Sequence, residues 1–370
     1  MSDDRPHRFY DSRQKYLGFV TTTNEKWTIG QRISAELAHL APQPPALRIF
    51  DAGIGDGAVQ SHVLRAAHER FPHVPVLSAG KEISVEDLRM ALEKLPDRLV
   101  EHGPSVFVFT NMTYARAPSL VASKEVQWIE APLVGTSSHG FSAQLRNLDQ
   151  RLVDAWRVTS SASGNPLPAQ PAVLVVYRDD HAFMLDDVKP RQGEDATGYD
   201  LVIASQPWRA RTDAETKARN VLLPMTTALG PGGRLVVVQS VGGDPGEEII
   251  RNIWDKADLP DLFPVDRYDL LRALGEQLED DDRFDLSATP DSESLVSFRM
   301  HTLPEEIGPS IGTSALHAAW NAATYVAQID EKRMSAVPLD GDHLDGVAEV
   351  LRRYGGLWFN DEVFVIRRVG

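Results

Sequence analysis

The feature that most constrains the fold of this chain is a glycine-rich turn that directly follows an apolar run. Residues 46–57 read Ala-Leu-Arg-Ile-Phe-Asp-Ala-Gly-Ile-Gly-Asp-Gly, so Asp51 ends the run and glycines stand at positions 53, 55 and 57. Glycine has no β-carbon and tolerates positive φ, which lets backbone N–H groups approach a ligand at the N-terminus of a helix. The pattern therefore predicts a buried strand, a tight turn and a helix, with a ligand against the turn.

The acidic residue before the first glycine restricts the kind of ligand. Asp51 would repel a pyrophosphate, whereas it would attract a cationic group such as an amino group. Gly53-x-Gly55-x-x-Ala58 also fits the looser fingerprint of dinucleotide-binding proteins. The turn by itself therefore leaves a nicotinamide cofactor open as the alternative.

The spacing Asp51-x-Gly53-x-Gly55-x-Gly57 resembles the first motif of class I S-adenosylmethionine (SAM)-dependent methyltransferases. The resemblance implies a doubly wound α/β fold with a seven-stranded, mostly parallel sheet. It also implies that SAM is the cofactor and that these four residues help to bind it, with Asp51 near the amino group of the methionine portion.

Two polar residues follow predicted strands and extend the resemblance. Glu82 comes after a predicted strand over residues 74–79, and open α/β sheets bind their ligands at the carboxyl ends of strands. In the family, a carboxylate at this place accepts both hydroxyls of a ribose. Asn111 ends the predicted strand over residues 105–109, and the resemblance implies that its carbonyl oxygen accepts from the adenine amino group.

A second glycine-rich block supports the same family. Leu229-Gly230-Pro231-Gly232-Gly233-Arg234, followed by the apolar run 235–238, resembles the junction between a helix and strand 5 of class I methyltransferases. Nothing comparable is expected in NAD enzymes. The block therefore favours a methyltransferase over a dehydrogenase, and the resemblance extends over about residues 25–112 and 199–300.

The segment Ser205-Gln206-Pro207-Trp208 follows the predicted strand over residues 199–204. It is similar to the Asp/Asn/Ser-Pro-Pro-Tyr/Phe/Trp motif of methyltransferases that modify amine or amide nitrogens, with Gln206 in place of the first proline. The resemblance implies that Ser205 accepts a hydrogen bond from the nitrogen and that Trp208 stacks on a planar acceptor. Methyl transfer is an in-line displacement, so the protein mainly aligns donor and acceptor. The alternative is that Pro207 ends the strand and Trp208 packs in the core.

The alternation of strands and helices predicts how the chain is divided. A SAM-binding Rossmann-like domain is expected over residues 46–303, with an N-terminal lid and first helix over 1–45. A C-terminal helical extension and a final strand are expected over 304–370. Residues about 112–198 interrupt the alternation and are predicted to be an insertion, with a hairpin turn at Arg178-Asp179-Asp180-His181.

The N-terminal segment Tyr10–Lys26 is polar and aromatic and leads into the first predicted helix. In many class I methyltransferases such a segment folds over SAM as a lid. Tyr16 and Phe19 are therefore candidate contacts of the cofactor, with ordinary surface packing as the alternative.

Composition limits the partners and the chemistry. The chain has 38 Lys and Arg against 53 Asp and Glu, a net charge of −15, which disfavours nucleic acid as a partner. It has no cysteine, which excludes disulfides and cysteine nucleophiles, and its 11 histidines show no metal-ligand spacing. No apolar stretch approaches the roughly 18 residues of a membrane span and the N-terminus does not resemble a signal peptide, so a cytoplasmic protein without a membrane or metal partner is predicted.

The sequence thus predicts a SAM-dependent methyltransferase that acts on a small-molecule or protein acceptor, with nitrogen favoured over oxygen. Two alternatives stay open. One is an NAD(P)-dependent oxidoreductase, and the other is a non-catalytic SAM-binding methyltransferase-like partner subunit. The sequence does not determine the acceptor or the oligomeric state, and a homo-oligomer is possible.

Overall fold

The structure is a computed structural model. It describes residues 13–370 with the exception of 123, 162–165, 280, 288, 302–311 and 339–340 and of the side chain of Asp342. The first 12 residues of the predicted lid and the predicted boundary between residues 303 and 304 therefore lie outside the described residues.

Short apolar runs, most of them rich in β-branched residues, form the strands. In chain order they are β1 (Leu47–Asp51), β2 (Val76–Lys81), β3 (Ser105–Thr110), β4 (Gln127–Leu133), β5 (Val158–Ser160), β6 (Pro166–Pro168), β7 (Ala172–Arg178), β8 (Tyr199–Ser205), β9 (Leu229–Ser240), β10 (Phe284–Asp285), β11 (Leu295–Arg299) and β12 (Trp358–Arg368).

Ten of the strands in the described part of the chain form one mixed sheet in the order β10-β12-β9-β8-β1-β2-β3-β7-β4, with β11 also paired to β12. The five strands from β9 to β3 are parallel. β12 runs antiparallel to β9, β10 and β11, so β10 and β11 point in the same direction as β9. This order confirms the predicted doubly wound, mostly parallel sheet and is that of a class I methyltransferase fold, but the sheet has ten strands where seven were predicted, and β4 and β7 are among the additional ones.

The segment predicted to be an insertion adds strands to the same sheet. β7 pairs antiparallel with β3, and β4 pairs parallel with β7 on its other side. The predicted hairpin at residues 178–181 is wrong, because β7 already has a partner on each edge and no strand follows it before Tyr199 in the described residues. Arg178 instead forms an ion pair with Asp180 across a short 3₁₀ turn.

Helices cover both faces of the sheet and its carboxyl edge. In chain order they are α1 (Arg13–Thr22), α2 (Glu25–Ala35), α3 (Ala58–Arg70), α4 (Val85–Leu92), α5 (Leu95–Glu101), α6 (Ser138–Arg146), α7 (Asp149–Ala155), α8 (Ala214–Lys217), α9 (Leu223–Thr227), α10 (Pro245–Arg251), α11 (Arg267–Gln277), α12 (Thr313–Val326), α13 (Glu331–Ala336) and α14 (Asp342–Tyr354).

Several helices begin at a side-chain cap that the sequence encodes locally. Ser84 accepts a hydrogen bond from the Asp87 backbone N–H at the start of α4, and Asp266 does the same for α11. Among the described residues, no helix combines the length and the apolar composition that crossing a bilayer requires.

The apolar core lies in three clusters. One packs α2, α3 and α5 against one face of the sheet, around Ile33, Val63 and Leu99. A second covers the opposite face with α9 and α11. The third joins α1, α10, α12 and α14 and contains Phe19 and Tyr325. Because α1 and α12 stand at the carboxyl ends of the parallel strands, this third cluster forms a roof above that edge.

Candidate functional site

A cavity of about 670 Å³ lies at the carboxyl edge of the parallel strands. Asp51 at the end of β1, Glu82 after β2, Ser205 at the end of β8 and Ser240 at the end of β9 all line it. Strand polarity explains the arrangement, because the carboxyl ends of parallel strands meet at one edge of an open sheet.

The glycine turn and the acid after β2 are joined directly. Asp51 Oδ1 accepts a hydrogen bond from Gly53 N at 2.9 Å, and Glu82 Oε2 accepts one from Gly55 N at 2.9 Å. Glu82 Oε1 accepts from the backbone N–H groups of Ile83 and Ser84, both at 2.8 Å. The structure therefore brings together four of the six residues that the sequence proposed for the cofactor.

Burial shapes the electrostatics of these carboxylates. It raises the pKa of Asp51 to about 7, to which the nearby Glu82 contributes, and it raises the pKa of Glu82 above its ordinary value. Burial lowers the pKa of Lys81, whose Nζ lies 4.6 Å from the centre of the Tyr114 ring. A cationic group beside Asp51 and hydroxyl donors beside Glu82 would stabilise the charged forms.

The other two proposed cofactor residues lie outside the cavity lining. Gly57 has φ of +77°, and a β-carbon on it would lie 2.9 Å from Ala91 Cα, so this glycine allows close packing of α3 and α4. Asn111 is buried, and its Oδ1 accepts from Ala172 N at 2.8 Å while Nδ2 donates to the carbonyls of Ala155 and Gln170. Asn111 thus ties β3 to the start of β7 in place of the predicted adenine contact.

The roof covers the glycine turn. Tyr16 Oη accepts from Asp56 N at 3.3 Å, and it lies 3.0 Å from the place that a β-carbon on Gly55 would occupy. The centre of the Phe19 ring is 4.7 Å from that of Tyr325. Tyr16 and Phe19, the two predicted lid residues, both line the cavity. The structure shows that their segment is a helix, α1, packed against α12.

The segment 205–208, which we call the acceptor loop, also lines the cavity. Gln206 adopts a left-handed conformation with φ of +48°, and its N–H donates to the Val238 carbonyl at 2.9 Å. The Pro207 carbonyl accepts from Tyr114 Oη at 2.9 Å. Trp208 is half-buried, and its indole N–H donates to Gln239 Oε1 at 3.2 Å.

A buried acid that sequence reasoning missed anchors the acceptor loop. Asp361 on β12 is fully buried, and its Oδ1 accepts from Gln206 Nε2 at 3.1 Å and from Ser240 Oγ at 3.0 Å. Burial, with Glu25 nearby, raises the pKa of Asp361 to about 7. The available signal was an acidic residue inside an apolar strand, but placing it here requires knowing that β12 lies beside β9.

Sequence reasoning also missed an ion pair at the start of α2. Glu25 Oε2 lies 2.9 Å from Lys26 Nζ, and both residues line the cavity. Oppositely charged neighbours at a helix start are typical of exposed surfaces. Nothing in the sequence therefore marked this pair as part of a site.

Comparison with known proteins gives matches to solved structures only, since no family model and no curated protein matches the sequence. The chain is similar to the plantazolicin methyltransferase BpumL in complex with S-adenosylhomocysteine (SAH), with 10% identity over 97% of this chain and 91% of that chain and a TM-score of 0.34. It is similar to geranyl diphosphate methyltransferase in complex with SAM, with 15% identity over 92% and 85% and a TM-score of 0.32.

A third similar structure is phosphoethanolamine N-methyltransferase 2 from Haemonchus contortus in complex with SAM, with 11% identity over 98% of this chain and a TM-score of 0.32. This chain spans 60% of the length of that protein. The assignment of the fold rests on the strand order and on the position of the cavity described above.

Proposed function

Because the chain has the fold of the class I SAM-dependent methyltransferases, we propose that it binds SAM and transfers the methyl group to an acceptor. One observation carries the proposal. Asp51, the glycine turn and Glu82, which we call the cofactor part, line the same cavity as Ser205 and Trp208, which belong to what we call the acceptor part. A single space thus offers groups for a cofactor and groups for an acceptor.

The cofactor part has free hydrogen-bonding capacity where SAM needs it. Glu82 Oε1 already accepts from two backbone N–H groups, whereas Oε2 accepts only from Gly55 N and keeps a second lone pair for a ribose hydroxyl. Asp51 uses Oδ1 for Gly53 N, which leaves Oδ2 for the ammonium group of the methionine portion. The bound sulfonium would supply the electrophilic methyl group.

The acceptor loop supports a nucleophile that carries N–H or O–H. Both hydrogens of Gln206 Nε2 are directed at Ser240 and Asp361, and the Pro207 carbonyl is occupied by Tyr114. Ser205 is then the loop's first candidate to accept a hydrogen bond from the nucleophile, with Trp208 beside a planar acceptor. Phe19, Phe298 and Tyr325 add further rings to the lining. A small molecule or a protein side chain with a flat apolar group fits this lining, with nitrogen ahead of oxygen.

Nothing in the similar structures or in the cavity supports the oxidoreductase alternative. A dinucleotide would place its pyrophosphate against the turn, where two buried acids, Asp51 and Glu82, already stand. The non-catalytic alternative predicts cofactor binding without turnover. The acceptor loop speaks against it, because its strained Gln206 is held by three hydrogen bonds and strain of this kind clusters at functional sites.

The proposal predicts that SAH binds and that NADH and NADPH do not. Isothermal titration calorimetry of the purified chain with SAH should give saturable binding, and SAH should raise the melting temperature by several degrees, since a ligand of the native state stabilises it. Ser205→Ala and Trp208→Ala serve as matched controls, with SAH affinity within about twofold of the unmodified protein because these residues act on the acceptor. Saturable NADH binding without SAH binding would contradict the proposal.

Alanine substitutions at two glycines should separate cofactor binding from stability. A β-carbon on Gly53 meets no atom within 4 Å, so Gly53→Ala should keep the melting temperature while its methyl group obstructs SAH. Gly57→Ala has both a positive φ and a backbone clash and should lower the free energy of unfolding by about 1–3 kcal/mol. For both variants, thermal melts measure the change in stability and calorimetry with SAH measures the change in cofactor binding. Equal SAH affinity in Gly53→Ala and the unmodified protein would show that the ligand does not approach this turn.

A further inference from the structure

The ion pair of Glu25 and Lys26 belongs to the lining of the cavity. Glu25 is 2% exposed, and its Oε2 lies 2.9 Å from Lys26 Nζ, which compensates its charge. Lys26 Nζ also lies 5.7 Å from the centre of the Tyr16 ring, above the glycine turn. A buried carboxylate with one cationic neighbour depends on that neighbour.

Lys26 also faces the acids of the cofactor part. Burial lowers its pKa, but attraction to Glu25, Tyr16 and Asp56 outweighs burial and raises the pKa above its ordinary value. Lys26 in turn acts on the pKa of Asp51 and of Asp361. Lys26 lines the same cavity as Asp51, and the Tyr16 ring 5.7 Å from its ammonium group is bonded through its hydroxyl to Asp56 N in the glycine turn.

Among the described residues, the lining has three other cations, one of which, Arg209, directly follows the acceptor loop in the chain. Arg13 lies 3.4 Å from Glu86 and 3.6 Å from Asp87, both on α4. The side chain of Lys81 lies over the Tyr114 ring, and its pKa is lowered by burial. Lys26 is the cation that combines proximity to Asp51 with a position under the roof.

Resting on the proposed function, we propose that Lys26 binds the α-carboxylate of the methionine portion of SAM and that cofactor binding thereby separates Lys26 from Glu25. The ammonium and carboxylate groups of methionine sit on one carbon atom. Their partners must therefore lie close together and carry opposite charges, as Asp51 and Lys26 do. Such complementary charges give a binding site specificity for a zwitterion.

The exchange of partners has a consequence for the acceptor. Once Lys26 has turned to the cofactor, Glu25 keeps a buried negative charge whose remaining titratable neighbours include Tyr325 and Asp361. A hydrogen-bond donor on the acceptor would then compensate Glu25. Cofactor binding thus prepares the acceptor part of the cavity, and the cofactor binds first.

The test compares two probes, SAH and 5′-methylthioadenosine, which has the adenosine and thioether groups but no amino acid portion. In calorimetry, Lys26→Met should weaken SAH binding at least about tenfold and change 5′-methylthioadenosine binding less than about twofold, because only the charge-assisted bond to the carboxylate is lost. Lys26→Arg should retain most of the SAH affinity. Glu25→Gln should strengthen SAH binding, because it removes the competing carboxylate. This gain should shrink when Lys26→Met is added.

Lys15 and Glu331 provide the matched control, since they form an ion pair at 3.0 Å outside the cavity lining. Lys15→Met and Glu331→Gln should leave both probes unaffected. Equal losses of both probes in Lys26→Met, weaker SAH binding in Glu25→Gln, or a selective loss of SAH in Lys81→Met but not in Lys26→Met would each overturn the inference. Failure of the proposed function has a different signature, since the unmodified protein would then bind neither probe.

Discussion

Replacing Glu82 with alanine is expected to weaken SAH binding by about 3 kcal/mol or more and to lower the melting temperature as well. The ribose contact accounts for part of the loss. The larger reason is that the carboxylate accepts hydrogen bonds from Gly55, Ile83 and Ser84, so alanine would leave three backbone N–H groups without a partner. The glycine turn would then lose the group that fixes it to the end of β2.

Calorimetry with SAH and a thermal melt of Glu82→Ala measure the two effects. Glu86→Ala is the matched control, because Glu86 lines the same cavity but its side chain is 55% exposed and pairs with Arg13 at the surface. Its loss should cost less than about 1 kcal/mol in either measurement. Unchanged SAH affinity in Glu82→Ala would remove Glu82 from the cofactor site.

Asp361→Asn should make the protein more stable above neutral pH. The pKa of Asp361 is raised to about 7 by burial, so the folded protein binds a proton there that the unfolded chain releases. The contribution of Asp361 to the free energy of unfolding is therefore fully present below about pH 4 and is lost as the pH rises through 7. Asparagine carries no charge at any pH, and its Oδ1 can accept from Gln206 and Ser240 as before.

We expect Asp361→Asn to raise the free energy of unfolding by about 2 kcal/mol more at about pH 8 than at about pH 4. Urea unfolding at both pH values measures the difference. Glu349→Gln is the control, since its carboxylate is exposed and pairs with Arg353 at the surface, so removing its charge should not change the pH dependence of stability. A gain of the same size at both pH values would show that charge burial at Asp361 is not the cause.

The positions of the motifs could be predicted from the sequence because they depend on local patterns. An apolar run that ends in an acid, followed by spaced glycines, defines a strand end, and parallel strands bring their ends together. Local patterns of this kind led to Asp51, Gly53, Gly55 and Glu82, and also to Ser205 and Trp208. All six residues line the cavity. The same local signals predicted most of the helices and the doubly wound sheet.

Residues whose surroundings depend on pairing between distant segments could not be predicted. Asn111 ends its strand as expected, but β7 lies beside β3 and uses the amide. Asp361 joins the acceptor loop because β12 pairs with β9. Glu25 and Lys26 are adjacent in sequence, but they face a cavity because α1 and α12 close over them. In each case a long-range contact that the local pattern does not encode determines the role.

The position of β12 in the sheet has a consequence for synthesis on the ribosome. β10 and β11 pair with β12 and with no other strand in the described part of the chain, although both precede it. During translation these two strands must wait unpaired until β12 has left the exit tunnel. Because a domain generally folds as a unit, this edge of the sheet is completed only after β12 has emerged. The acceptor loop, which Asp361 of β12 anchors, would therefore gain its final hydrogen bonds late in synthesis.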